Sequence, residues 1–234
     1  MTADVRSARG KQRGRSLKHP FTRSPFNWLR PPGPVAPGLR IGLLGGSFNP
    51  PHEGHFHVSA EALKRLGVDY VWWLVTPQNP LKPSAGTAPL HDRILDAAAL
   101  ARHPRIIVMD IERVLGTHYT VDTLRALRRR FPQLRFIWLM GSDSLDNFRR
   151  WHRWTDIVAQ LPVATFMRPG SVLAALHAKP IQRFARARRD GRVVARSKPP
   201  ALAVIDGRRS PQSSTALRAA LARGEAMVSA MPPC

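Results

Sequence analysis

Six short apolar runs, LRIGLL (39–44), YVWWLVT (70–76), RIIVMDI (105–111), RFIWLMG (135–141), PVATFMR (162–168) and PALAVID (200–206), alternate with helical patterns. The helical patterns open near His55, His91, Thr120, Ser144 and Ser171, with a last one after Ser213. No other feature constrains the fold as tightly. Runs with so little polar interruption are strands buried on both faces, and a helix between successive strands is what a parallel crossover requires. The expected fold is α/β, a Rossmann-like doubly wound parallel sheet in a single domain spanning 39–234. Ligands of such sheets sit at the carboxyl ends of the strands.

Residues 1–38 read differently. They are rich in Arg, Pro, Gly and Ser, with only scattered hydrophobics such as Phe21, Phe26 and Trp28, and they predict a disordered basic extension. The segment has the arginine and serine of a transit peptide, but Pro31, Pro32, Pro34 and Pro37 break any amphipathic helix there. The only cysteine is Cys234, which excludes an internal disulfide framework and a cysteine-based zinc site and fits a reducing cytoplasm. No run of about 18 apolar residues exists, so no membrane span is expected. The net charge of +22 is spread along the chain: residues 1–40 hold nine Lys or Arg and one acid, leaving 28 basic against 14 acidic residues elsewhere. A second basic run, 179–198, includes Arg183, Arg186, Arg188, Arg189, Arg192 and Arg196. A field of this sign favours phosphate-bearing ligands or nucleic acid, and it is equally what a solvated arginine-rich surface looks like.

The stretch GLLGGSFNPPHEGHFH, Gly42 to His57, follows the first strand and precedes a helix, the place where such a sheet binds phosphate. Gly45 and Gly46 let the backbone approach a ligand, and the Gly45–Phe48 backbone, Ser47 included, can cradle oxygens. Neither G-x-G-x-x-G nor G-x-x-x-x-G-K-[ST] is present, so the dinucleotide fingerprint and the P-loop are both absent. His52 and His55 flank Gly54 at the helix start, beside its free N–H groups, and suit a polyphosphate. Helix capping is the structural alternative for these histidines. A zinc site is disfavoured, because HEGH is one residue short of H-E-x-x-H and no nearby carboxylate has ligand spacing.

Further along, Ser213, Ser214 and Thr215 form an N-cap cluster with Arg218 one turn on, a second place where hydroxyls, backbone N–H groups and a guanidinium converge on an anion. Asp143, after Gly141 at the end of the fourth strand, can accept from a sugar hydroxyl, a base amine or a backbone N–H. Thr120 opens a helix with Asp122 and Thr123 in its first turn, where capping and ligand contact are both open.

GGSFNPPHEGH resembles the signature of the H-x-G-H nucleotidyltransferase superfamily, in the form carried by the bacterial nicotinate-nucleotide adenylyltransferase family. PQNPLK (77–82), HYTVDTL (118–124), GSDSLDNFRRWHRW (141–154), RPG (168–170) and SSTALR (213–218) follow in that family's order. The resemblance covers about 39–221. It implies adenylyl transfer from ATP to nicotinate mononucleotide, giving deamido-NAD and pyrophosphate. It further implies Lys82 near the phosphates and Arg168 beside the adenosine or its phosphates. Trp151 and His152 would hold the pyridine ring, an indole face being suited to a flat pyridinium; His stands where the family usually has Tyr. The attacking phosphate is already anionic, so no covalent nucleophile is needed, and His52, His55, Lys82 and Arg218 are expected to neutralise charge on the leaving pyrophosphate. Mg²⁺ is expected on the triphosphate, with no protein metal site evident.

Rival acceptors are nicotinamide mononucleotide and phosphopantetheine. The pantetheine enzymes typically carry G-T-F-D-P-x-T-x-G-H, from which Ser47, Asn49 and His52 depart. A rival of another class is a basic nucleic-acid-binding protein, recognisable by steep salt dependence. The partners expected are therefore ATP and nicotinate mononucleotide, with nucleic acid as an incidental rather than main partner and homo-oligomerisation left open.

Overall fold

The computed structural model of the chain describes residues 33–77, 86–167 and 175–206, the side chain of Asp146 excepted. Six strands form one sheet: β1 (Arg40–Gly46), β2 (Tyr70–Val75), β3 (Ile106–Met109), β4 (Arg135–Gly141), β5 (Val163–Met167) and β6 (Leu202–Asp206). They lie in the order β3-β2-β1-β4-β5-β6, and every adjacent pair is parallel. The chain therefore starts mid-sheet, winds outward through β2 and β3, then returns to the other side of β1 at β4. That reversal places a topological switch point between the carboxyl ends of β1 and β4.

Period-two alternation sends neighbouring side chains to opposite faces, and the adjacent pair Trp72 and Trp73 makes the point. Both are fully buried. Trp72 joins Ile41, Leu43, Leu74, Trp138 and Met140 on one face, while Trp73 joins Leu44, Val71, Val75, Ile137 and Leu139 on the other. The first face is covered by α4 (Thr120–Arg130) and α6 (Trp154–Gln160) through Leu124, Leu127, Ile157 and Val158. The second is covered by α1 (Glu53–Glu61), the π-helical turn Ala62–Leu66 that continues it, α2 (Leu90–Leu100) and the one-turn α8 (Gly191–Val194). Each fully buried indole is worth about 3–5 kcal/mol against truncation to alanine.

The third strand is shorter than its apolar run. After Met109 the chain turns: the Asp110 carboxylate takes the Nε of Arg113 at 2.7 Å, Arg113 N donates to Asp110 O at 3.0 Å, and Ile111 opens the short helix α3 (Ile111–Leu115). The helical pattern opening near Ser144 is split into α5 (Ser142–Phe148) and α6, because Arg153 adopts a left-handed backbone, φ 48° and ψ 44°. The short α7 (Lys179–Arg183) precedes α8. Of the helix expected near Ser171 only 175–176, which are helical, fall among the described residues, and the one expected after Ser213 lies outside them. Residues 33–38, assigned to the extension on composition, lie against the domain: Gly38 N donates to Gln133 O at 2.9 Å, Gln133 Nε2 donates to Val35 O at 3.3 Å, and Val35 packs on the core.

Candidate active site

The β1–α1 connection is built from backbone constraints and two reciprocal side-chain caps. Gly45 has to be small: a Cβ there would lie 2.5 Å from the Trp138 ring. Phe48 takes a left-handed backbone, φ 46°, which costs a residue with a Cβ on the order of 1–3 kcal/mol. Its buried ring is held in place by stacking on Trp73, centroids 5.1 Å apart, and by contact with His55 at 4.5 Å. Trp73 is anchored in turn, since its Nε1 donates to Ser59 Oγ at 2.7 Å and that hydroxyl donates to His55 O at 2.9 Å.

His52 is the N-cap of α1, its Nδ1 accepting from Gly54 N at 3.1 Å, while His55 Nδ1 accepts from His52 N at 3.2 Å. Capping and phosphate binding, alternatives on sequence, are compatible in this geometry. A ring whose Nδ1 accepts a hydrogen bond carries its proton on Nε2, the far side of the imidazole. Each histidine is thus fixed as an Nε2–H donor, with the two rings 3.9 Å apart. His55 Nε2 reaches to 3.9 Å from a Cβ position built on Gly46, which places that donor over the end of β1.

Two residues given no part in the site on sequence tie this loop down. Arg93, on the inner side of α2, is 2% exposed. Its guanidinium donates to Ser47 O at 2.7 Å, Thr76 O at 2.8 Å, Pro77 O at 2.9 Å and Ala88 O at 2.8 Å. Burial lowers its pKa from the ordinary arginine value. Asn49 donates to Gly86 O at 3.0 Å and accepts from Ala88 N at 3.2 Å. A charged residue on the apolar face of HDRILDAAAL was the available signal for Arg93.

Across the switch point, β4 ends at Gly141, the N-cap of α5, where an added Cβ would meet nothing within 4 Å. Asp143 is exposed in the first turn of α5. The structure brings His152 and the start of α4 together: the His152 ring lies 4.4 Å from Tyr119, which directly precedes the half-exposed Thr120. Trp151 is half-buried, edge-on to Trp138 at 5.9 Å and to Phe148 at 5.4 Å. Trp138 thereby touches both halves of the crevice, packing under Gly45 on one side and against Trp151 on the other. Near the start of α4, burial pushes the Glu112 carboxyl up to about 7, against the hydrogen bond with Thr123, which acts to lower it. Lys82, Arg168, Ser213, Ser214, Thr215 and Arg218 lie outside the described residues. Among the described residues no group of three or more His, Cys, Asp or Glu side chains clusters as a metal nest, and no helix is long and apolar enough to cross a membrane.

The sequence profile of the cytidylyltransferase-like family matches residues 43–220. A probable nicotinate-nucleotide adenylyltransferase of Parvibaculum lavamentivorans is 51% identical over 187 residues, 79% of this chain and 93% of that protein. One from Methylorubrum extorquens is 53% identical over 183 residues, 77% of this chain and 99% of the relative. The chain belongs to the nicotinate-nucleotide adenylyltransferase family. Among solved structures, a Plasmodium falciparum nicotinic acid mononucleotide adenylyltransferase complexed with NaAD shares the fold, with a TM-score of 0.57 at 19% identity over 78% of this chain and 84% of that one. In the adenylyltransferase family's terms, the matched region takes in both the glycine–histidine loop and the crevice opposite it.

Proposed function

We propose that this chain transfers the adenylyl group of ATP to nicotinate mononucleotide, forming deamido-NAD and releasing pyrophosphate, as a step of NAD biosynthesis in the cytoplasm. One observation carries the reading beyond family membership. The reciprocal cap commits Nδ1 of both His52 and His55 to backbone N–H groups, so each offers Nε2–H, and His55 does so above the end of β1. Donors so fixed suit the phosphate oxygens of a nucleotide at the switch point.

The chemistry asks for alignment more than for a reactive side chain. An oxygen of the acceptor's phosphate attacks the α-phosphorus of ATP, the bond from that phosphorus to the bridging oxygen of the β-phosphate breaks, and pyrophosphate leaves with the electron pair. No proton has to be removed from the nucleophile. His52 and His55 act as neutral hydrogen-bond donors in this reading, while Lys82 and Arg218 carry the positive charge. The Gly45–Phe48 backbone, with Ser213, Ser214 and Thr215, cradles oxygens, and Gly141, Asp143 and Arg168 contact the nucleotide. Mg²⁺ enters with ATP, as part of the substrate. The acceptor's ring is placed between Thr120 and the Trp151–His152 turn, a position favoured by the contact of His152 with Tyr119.

Pyrophosphate release from MgATP tests the proposal, with nicotinate mononucleotide run beside nicotinamide mononucleotide and phosphopantetheine. The expected result is a kcat/KM for the nicotinate acceptor at least tenfold above either rival. Preference for a rival would move the acceptor assignment, and turnover with none of the three would overturn the activity.

A further inference from the structure

We infer that Arg93 is a positioning residue for adenylyl transfer, holding the Gly46–Phe48 turn in register with the end of β2 so that its peptide N–H groups face the nucleotide's phosphates. The inference rests on the reading of the β1–α1 loop as the phosphate site. Its geometric basis is the planar trans peptide, in which a carbonyl and the N–H that follows it point in opposite directions. Gly46 O is taken by Thr76 N at 3.0 Å, so Ser47 N–H is turned away from β2. Ser47 O is taken by Arg93 at 2.7 Å, so Phe48 N–H is turned away from α2. Two successive donors are thereby aimed from behind, one by the β2 backbone and one by a guanidinium.

That guanidinium fixes the same β2 end as well, through Thr76 O and Pro77 O, and the entry to α2 through Ala88 O. It is buried, and among the described residues its bonds run to backbone carbonyls with no carboxylate paired to it. A buried cation held by carbonyls alone is a costly way to stabilise a fold, because an apolar side chain fills a core position without desolvating a charge. Its partners lie in connections beyond the carboxyl ends of β1 and β2, with Ser47 in the β1–α1 loop that frames the switch point and Thr76 and Pro77 beside it. Asn49 completes the arrangement from the exposed side by bonding both Gly86 and Ala88.

The test uses the full chain with Arg93→Lys, Arg93→Gln and Asn49→Ala, each checked for a cooperative melt. Turnover with MgATP and nicotinate mononucleotide is expected to fall at least thirtyfold in kcat for Arg93→Gln and less for Arg93→Lys, which keeps one or two of the bonds. KM for the acceptor should stay within threefold, since its pocket lies across the crevice. Affinity for a non-hydrolysable ATP analogue, titrated calorimetrically, should weaken about tenfold in Arg93→Gln. A folded Arg93→Gln protein with a lowered melting temperature but wild-type kcat and analogue affinity would overturn the inference and leave Arg93 a fold residue. Should Arg93→Gln not fold, Asn49→Ala reads the same coupling from a half-exposed position, and an unchanged kcat and analogue affinity there would count against it equally. The calorimetric arm needs no acceptor, so it decides the role of Arg93 even if nicotinate mononucleotide proves not to be the substrate.

Discussion

His55 does two things with one ring, and the two can be separated. Its Nδ1 accepts from His52 N and completes the cap of α1, while its Nε2 lies over Gly46. In His55→Asn the amide oxygen occupies roughly the place of Nδ1, so the cap survives and the outer donor is lost. His55→Ala loses both. Both variants are expected to lose about 10²–10³ in kcat, the usual cost of one transition-state donor. Only His55→Ala should also melt early, by the ~1 kcal/mol of a lost cap. Stopped pyrophosphate assays with thermal melts on the same preparations read the two effects, and near wild-type turnover by His55→Asn would remove the Nε2 donor from the reaction. The same logic applies at Trp151. On sequence it is the aromatic platform for a pyridine ring, yet one face of the environment is already spoken for by edge contacts to Trp138 and Phe148. The ring is nonetheless only half-buried, so a ligand contact of the kind proposed has to share the indole with its packing.

Short elements carry the site, and they were the hardest part to read. The six strands were legible because an uninterrupted apolar run has few other solutions: 135–141 coincides with β4, and 70–76 overshoots β2 by a single residue. α3 was hidden because Ile111 continues the apolar run of β3, and the turn is set by the pairing of Asp110 with Arg113, which alternation does not encode. The break between α5 and α6 rests on a left-handed arginine, a residue whose identity gives no warning of that backbone. For Arg93 the charge on an apolar helix face marked the residue but not its partners, since Ser47 is 46 residues away in sequence. α3 also yields a pH prediction. Glu112 is 4% exposed, and burial holds its carboxyl near 7 against an unfolded value of 4.5. A raised carboxyl means the folded state keeps its proton longer than the unfolded state does. Stability is therefore full below about pH 4.5, declines as pH rises toward 7 and is flat above, the total being on the order of a few kcal/mol. Glu112→Gln keeps a neutral partner for Thr123 and should flatten that decline, so that it melts above wild type at pH 8 and level with it at pH 4.5. Parallel melting profiles for the two proteins across this range would show that Glu112 ionises normally.

At the scale of the whole molecule, the question is how much of the charge the reaction needs. Residues 1–32 contain eight Lys or Arg and one acid, so removing them takes the formal charge from +22 to +15 and still leaves a basic protein. A field that remains strongly positive continues to favour anionic substrates, and at 0.15 M salt its reach is only about 8 Å. The phosphate site proposed in the β1–α1 loop is local, its backbone held by Thr76, Arg93 and the paired histidines, none of which belongs to the extension. We therefore expect deletion of 1–32 to leave kcat within twofold and the melting temperature unchanged, with any rise in KM for ATP confined to low ionic strength. Deletion of 1–38 is a different experiment, because it strips Val35 from the core and removes the bonds that join Val35 and Gly38 to Gln133. Those contacts brace the start of β1 against the turn before β4, and their loss is worth about 1–2 kcal/mol, a fall of roughly 2–8 °C for a domain of this size. Activity well below the melting point should survive in both. A large loss of kcat in the 1–32 deletion with its fold intact would show that the extension takes part in the site, and equal melting temperatures for the two deletions would show that residues 33–38 contribute nothing to the fold.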